Sequence, residues 1–170
     1  MSYAEVRQLG AKDWPIYKEI RLRSLQDSPD SYASSYEREA AFTDEQWQER
    51  LSARGPASVF LLAELDSTVI GLVSGLLPAA SEAFGNIFQM WVDPEYRGKG
   101  VGKLLLARII HWAMSAKAAG LELGVTTSNI EAMGLYELAG FKRVGELAPL
   151  RESSELSTAT MRLEFNESAE

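Results

Sequence analysis

The chain of 170 residues carries a formal net charge of −7 and is 46% hydrophobic, which suits a globular protein that buries a core of its own. Because it has no cysteine and a single histidine, disulfides, thiolate metal sites and a cysteine nucleophile are excluded, and we expect no metal cofactor. The acidic balance argues against nucleic-acid binding, and without a leader-like N-terminus or a long apolar run we expect a cytoplasmic protein with no membrane contact.

Helices dominate the predicted structure of the N-terminal part. Asp13 suits a helix N-cap with Pro15 in the first turn, and Thr43 with Gln46 forms a capping box. The polar stretch between these helices carries scattered aromatic residues and indicates a loop with one helical turn. The predicted elements are a strand over 3–9, a helix over 13–26, a loop over 31–42 and a helix over 43–53.

Strands dominate the second part, where apolar runs alternate with turn residues. The predicted elements are strands over 58–65, 69–77 and 84–92, a helix over 101–119, a strand over 121–126, a helix over 129–140, and strands over 141–147 and 157–165. This order predicts an α/β (α+β) fold, a mixed sheet of about seven strands with about four helices on its two faces. We expect one domain over residues 1–170, in which 166–170 form a frayed tail.

A glycine-rich stretch joins the third of these strands to the long helix. Asp93-Pro94 ends the strand, and Gly98, Gly100 and Gly102 then remove every second side chain. Glycines let a ligand approach the unpaired N–H groups of a helix N-terminus, which favours a phosphate. Three basic residues add positive charge: Arg97, Lys99 and Lys103. The stretch therefore predicts an anion-binding loop, with a plain glycine-rich turn as the alternative.

Two familiar phosphate-binding loops do not fit this stretch. In a P-loop, Gly102-Lys103 would be followed by Ser or Thr, but Leu104 stands there. A dinucleotide fingerprint that starts at Gly98 would need its third glycine at position 103, which is lysine. The loop therefore argues against a nucleotide hydrolase.

The stretch Arg97-Gly98-Lys99-Gly100-Val101-Gly102 matches Q/R-x-x-G-x-G/A and resembles the acetyl-CoA loop of the GNAT N-acetyltransferase superfamily. A second stretch, Asn129 to Phe141, is similar to the family's N-x-x-A-x-x-L/F-Y-x-x-x-G-F element. The resemblance implies a mixed, mostly antiparallel sheet whose fourth and fifth strands splay apart, with acetyl-CoA as co-substrate in the gap. It also makes a homodimer through the C-terminal strands plausible.

The resemblance further implies which residues bind acetyl-CoA. In the family, loop N–H groups hold the pyrophosphate, and a backbone N–H of the preceding strand serves as the oxyanion donor. The implied cofactor-binding residues are Met90, Trp91, Val92, Arg97, Gly98, Lys99, Gly100, Val101, Gly102, Lys103, Asn129 and Tyr136. Asn129 equally suits the N-cap of its helix, and both roles stay open.

Tyr136 is the candidate catalytic residue, because it aligns with the family's motif tyrosine and its phenol can protonate the leaving thiolate. The alternative is a core tyrosine on an amphipathic helix. No general base is evident, since the strand over 84–90 carries amides but no carboxylate. His111 lies mid-helix, away from the thioester, and deprotonation by bulk water stays open. Some carboxylates elsewhere could act through water or be surface charges: Glu37, Glu39 and Glu82.

The N-terminal region is the implied acceptor pocket. Its aromatic residues could line the pocket or belong to the core: Trp14, Tyr32, Tyr36 and Trp47. One of Arg21 and Arg23 could bind a substrate carboxylate, although we expect both to be surface charges. These features predict an enzyme that moves acetyl from acetyl-CoA to a primary amine of a small molecule, by direct transfer in a ternary complex. The alternatives are a protein amine as acceptor and a non-catalytic acyl-CoA-binding sensor or interaction module.

Overall fold

A computed structural model describes residues 2–52, 57–78 and 83–166. The strands of this part are β1 (Glu5–Gln8), β2 (Ser58–Leu65), β3 (Thr68–Leu76), β4 (Phe84–Val92), β5 (Gly120–Thr126), β6 (Lys142–Pro149) and β7 (Ser157–Glu164). Its α-helices are α1 (Trp14–Asp27), α2 (Tyr36–Ala40), α3 (Asp44–Ser52), α4 (Val101–Ser115) and α5 (Ile130–Leu138). The described strands form one sheet in the order β1-β2-β3-β4-β5-β7-β6, antiparallel except between β4 and β5. The predicted mixed, mostly antiparallel sheet of seven strands is thus confirmed.

The side chains of each strand alternate between two faces of the sheet, and each face has its own apolar core. On β2, Phe60 and Leu62 pack with residues of α1 and α3. Their neighbours Leu61 and Ala63 belong instead to the core built on α4, which α5 joins through Tyr136. The sheet therefore separates an α1 face, covered by α1 and α3, from an α4 face, covered by α4 and α5.

Strands β4 and β5 start side by side and then separate. Their parallel pairing is limited to 84–86 of β4 and 120–122 of β5. The remaining residues of the two strands, 87–92 and 123–126, do not pair with each other. A gap therefore opens toward the C-terminal ends of both strands, and the predicted splay of the fourth and fifth strands is confirmed.

Gly120 lies where the two strands still touch, and we expect Gly120→Ala to lower the free energy of unfolding by about 2–3 kcal/mol. A Cβ at this position would lie 2.6 Å from Cε1 of Phe84 and even closer to the carbonyl oxygen of Leu163. Urea denaturation followed by circular dichroism measures the change. Gly124→Ala, in the same strand, is the matched control, since its Cβ would meet nothing within 4 Å. Equal losses in both variants would contradict this account.

The predicted helix boundaries agree with the structure except at one end. The helix expected to reach residue 119 ends at Ser115, because Lys117 adopts a left-handed φ of 61°. The helical turn expected within 31–42 is α2. The capping box of Thr43 and Gln46 is confirmed by reciprocal N–O distances of 2.8 and 3.2 Å.

Two predicted elements extend beyond the described residues. The helix expected over 43–53 loses Ala53, and the tail expected over 166–170 loses 167–170. Within the described ranges, we find no helix that has the length and apolar character to cross a membrane.

Candidate functional site

The gap between β4 and β5 opens into a cleft of about 780 Å³. This volume lies within the range of roughly 300–1,000 Å³ that is usual for ligand sites. The α4 face contributes the glycine loop, the first turn of α4 and part of α5, while the α1 face contributes Arg21 and residues between 28 and 34. Each predicted cofactor-binding residue lines the cleft except Lys99. The structure therefore brings the two sequence motifs together in one space.

The glycine loop has a backbone conformation that residues other than glycine rarely adopt. Gly98 and Gly100 have φ angles of 75° and 85°, in the left-handed region. Gly100 is the N-cap of α4 and offers no side-chain cap, so the first N–H groups of the helix are left for a ligand. A Cβ at Gly102 would lie 3.2 Å from Cδ2 of Leu135, so this glycine lets α5 approach α4 closely. These features fit a phosphate-bearing group at the N-terminus of α4.

The three basic residues of the loop differ in their surroundings. Arg97 donates from Nη2 to Oδ2 of Asp27 at 2.6 Å and from Nε to the carbonyl oxygen of Val92 at 2.9 Å. Its charge is therefore offset by a carboxylate. Lys99 lies over the ring of Tyr96, with Nζ 5.5 Å from the centroid. Lys103 is thus the basic loop side chain that lines the cleft without such a carboxylate partner among the described residues.

Asp27, which the sequence analysis does not single out, connects three elements. Its Oδ2 accepts hydrogen bonds from Nε1 of Trp91 at 2.9 Å, from Arg97, and from Oγ of Ser28 at 2.6 Å. Burial raises the pKa of Asp27, but these hydrogen bonds and the Arg97 charge outweigh it and hold the pKa below its usual value. One signal was present in the sequence: an acid in the last turn of a helix opposes the helix dipole and so calls for a partner elsewhere.

A bulge interrupts β4 where the oxyanion donor is predicted. Val73 of β3 lies opposite two β4 residues, Gln89 and Met90, and Gln89 has a φ of 60°. Two tyrosines hold the bulge from the α1 face. Tyr17 donates to Oε1 of Gln89 at 2.9 Å, and Tyr32 donates to the carbonyl oxygen of Met90 at 2.9 Å. The backbone around Met90 is therefore fixed at the wall of the cleft.

Tyr136 lies at the opposite wall of the cleft, 6% exposed and with its ring centroid 5.9 Å from that of Phe141. Burial raises the pKa of Tyr136, so its phenol is protonated at neutral pH. Asn129 caps α5, because its Oδ1 accepts a hydrogen bond from the backbone N–H of Ala132 at 3.2 Å. The capping role of Asn129 is thus confirmed, and its contact with the pantetheine arm stays a prediction.

The two described carboxylates that were considered as a general base, Glu37 and Glu39, do not line the cleft. Glu39 is fully buried and ion-paired, so the alternative that it is a surface charge is wrong. Glu37 is exposed on α2 and does not line the cleft, and Glu82 lies outside the described residues. Among the described residues that line the cleft, the one carboxylate is Glu131, in the first turn of α5.

Arg21 was expected to be a surface charge, and the structure contradicts this. It is 4% exposed, and its Nε and Nη2 donate to the two carboxylate oxygens of Glu39 at 3.0 and 2.9 Å. Arg50 donates to the same carboxylate at 2.7 Å. The helical spacing could have located Arg21, because it lies one turn after Tyr17 on the buried side of α1. Arg23, two residues on, is half-exposed and pairs with Asp93.

Of the four aromatic residues proposed for the acceptor pocket, one lines the cleft and three do not. Tyr32 lines the cleft, whereas Trp47 is fully buried in the core of the α1 face. Trp14 and Tyr36 pack against that core and are not part of the cleft wall.

Comparison with known proteins places these features in a family. A family model described as "Acetyltransferase (GNAT) family" matches residues 19–141. Human N-acetyltransferase 8B is 29% identical over 142 residues, 81% of this chain and 54% of that protein. Rat N-acetylaspartate synthetase is 33% identical over 106 residues, 62% of this chain and 35% of that protein. The chain thus spans about half, or less, of the length of these curated relatives.

Two solved structures share the fold. A GNAT-family acetyltransferase from Streptococcus pneumoniae has a TM-score of 0.82 at 23% identity, covering 96% of this chain and 100% of that one. An acetyltransferase structure from Salmonella typhimurium, which contains its cofactor acetyl-CoA, has a TM-score of 0.79 at 19% identity and covers 99% and 98%. On the strength of the family match and this shared architecture, the chain belongs to the GNAT acetyltransferase family.

Proposed function

We propose that this protein is an N-acetyltransferase that moves acetyl from acetyl-CoA to a primary amine of a small molecule, within one domain over residues 1–170. The observation that carries the proposal is the cleft in which the glycine loop and Tyr136 meet at the gap between β4 and β5. In this proposal transfer is direct, in a ternary complex, and the absence of cysteine, which rules out an acyl-cysteine intermediate, supports it.

The described residues fit acetyl-CoA, which supplies a thioester whose carbonyl carbon is open to attack by a neutral amine. The N–H groups from Gly98 to Gly102 and the ammonium group of Lys103 bind the pyrophosphate. The walls formed by 90–92 and by Asn129 hold the rest of the group. The loop thereby fixes one end of the cofactor on the α4 face.

Three conditions govern the chemistry of the cleft. A backbone N–H between residues 90 and 92 donates to the carbonyl oxygen as that oxygen gains negative charge. The phenol of Tyr136 donates to the departing sulfur, whose thiol pKa is about 8.5 by analogy with cysteine. Since no described residue on the α1 side of the cleft is a carboxylate, the acceptor loses its proton to water, and an amine with a low pKa reacts fastest.

Two observations bear on the partners of this chain. The name of the rat relative, N-acetylaspartate synthetase, supports a small-molecule acceptor, with a protein amine as the second candidate. Strand β6 is the edge of the sheet and is largely exposed, which supports a homodimer through the C-terminal strands.

Thiol release from acetyl-CoA, with and without a pooled panel of primary amines, tests the proposal. Because the chain has no cysteine, a thiol reagent reports the coenzyme alone. We expect release that depends on the amine pool. Titrated binding of acetyl-CoA without release for any amine would favour the non-catalytic acyl-CoA-binding module, and no binding at all would overturn the assignment of the glycine loop.

A further inference from the structure

Arg21, a residue of the cleft wall, has an unused hydrogen-bond donor. Its Nε and Nη2 are engaged by Glu39, but Nη1 is buried and has no hydrogen-bond partner. A buried donor of a charged group that lacks a partner is unfavourable and rare, and it calls for an explanation. Arg21 also lines the cleft, beside Ser31, Tyr32 and Ser34. A ligand oxygen that reached Nη1 from this part of the cleft would complete the hydrogen bonding of Arg21.

The charges around Arg21 do not cancel. Glu39 is shared by the buried Arg21 and the partly exposed Arg50, so this cluster carries one excess positive charge. Arg21 is the one formally charged side chain among the described residues that line the cleft from the α1 face. Apart from Glu39, which the two arginines already offset, an anion that binds there meets no carboxylate among the described residues that line the cleft from the α1 face, and it offsets the excess charge.

Tyr32 links Arg21 to the reacting end of the cleft. The guanidinium of Arg21 stacks on the ring of Tyr32, with Cζ 4.8 Å from the centroid, and the hydroxyl of Tyr32 donates to the carbonyl oxygen of Met90. A group bound at Arg21 therefore lies one tyrosine side chain away from the β4 bulge. This spacing suits a small molecule in which an amine and an anionic group are a few bonds apart.

We infer that the acceptor is an amine that also carries a carboxylate, an amino acid in the broad sense, and that Arg21 recognises this carboxylate through Nη1. The inference rests on the proposed function and names its substrate class. A purely structural Arg21 would need only Glu39, whereas a recognition role also accounts for the unused donor and the excess charge.

The test compares L-amino acids with the matching L-amino acid α-amides as acceptors, by thiol release in the wild type and in Arg21→Lys. The α-amide has the lower amine pKa, so chemistry alone would favour the amide. We expect kcat/KM to favour the carboxylate form by roughly 10- to 100-fold, as a charged hydrogen bond predicts. Arg21→Lys keeps the charge but loses the planar fork, and we expect it to raise KM for the amino acid by a similar factor with kcat nearly unchanged.

Arg23→Lys is the matched control, because it makes the same change two residues away on the same helix and outside this cleft. We expect it to leave the ratio of carboxylate to amide unchanged. Equal use of both forms by the wild type would overturn the inference and leave the proposed function intact. If no amine is acetylated, the proposed function fails. Calorimetric titration of the same amino acids and α-amides into the CoA-bound protein then still shows whether the carboxylate form binds more tightly. If Arg21→Lys does not fold, the wild-type ratio alone decides.

Discussion

Replacing Tyr136 with phenylalanine is expected to lower the single-turnover rate of acetyl transfer by about 100- to 1,000-fold. The phenol lines the cleft and is buried, so a leaving thiolate there has little water to stabilise it. Phenylalanine keeps the packing against Phe141 and removes only the donor. The Kd for acetyl-CoA should therefore change little, because the lost interaction strengthens only as the sulfur gains charge.

The pH dependence of this variant gives a second check. Since burial raises the pKa of Tyr136 above the usual value of about 10, the wild-type phenol stays protonated through the neutral range. The rate deficit of Tyr136→Phe should thus be the same at about pH 6 and about pH 9. Tyr3→Phe, which removes the hydroxyl of an exposed tyrosine, serves as the control and should retain full activity. A Tyr136→Phe rate within a few-fold of the wild type would remove the tyrosine from the reaction.

The largest effect on stability is expected from Glu39→Gln, which should lower the free energy of unfolding at pH 7 by about 3 kcal/mol. Glu39 is fully buried and compensates two arginines, one of which is itself buried. Glutamine keeps the shape of the side chain and one acceptor oxygen but leaves both guanidinium charges unbalanced. Urea denaturation measures the loss, and Glu37→Gln, an exposed change on the same helix, should alter stability by less than about 0.5 kcal/mol.

The loss in Glu39→Gln should shrink in acid. Burial raises the pKa of Glu39, but the hydrogen bonds and charges of Arg21, Ser34 and Arg50 outweigh it, so the pKa lies below the usual value of about 4.3. A lowered pKa means that the carboxylate stabilises the fold above about pH 4.3 and ceases to do so as the pH falls through the folded-state value. Protonated Glu39 then resembles glutamine. A difference that persists undiminished at about pH 3 would refute the ionic origin of the effect.

Much of the fold follows from local patterns, and those patterns succeed where burial is regular. Strands β2 and β4 have the predicted bounds because both are rich in apolar residues and end at turn residues. The end of α4 was missed, since a left-handed Lys117 leaves no mark in the apolar periodicity. Local sequence patterns predict secondary-structure elements well, but they do not reveal the backbone conformation of a single residue.

The candidate site shows the same difference between local motifs and contacts that are distant in sequence. The glycine loop and Tyr136 lie on contiguous motifs, so sequence alone could place them. Arg21 pairs with Glu39, 18 residues away, and Asp27 pairs with Arg97, 70 residues away. No local spacing in the sequence reveals such pairs. Arg21 was expected to be a surface charge because charged side chains are usually exposed, and Asp27 was not singled out.

Asp27 also bears on how much conformational entropy the protein itself would lose on binding two ligands. The carboxylate is a common acceptor for the end of α1, for Trp91 on β4 and for Arg97 at the start of the glycine loop. None of these elements can shift far without breaking a hydrogen bond to the other two. The two walls of the cleft are thus held in register in the free protein, and under the proposed function this reduces the conformational entropy that the protein loses when the two reactants are aligned.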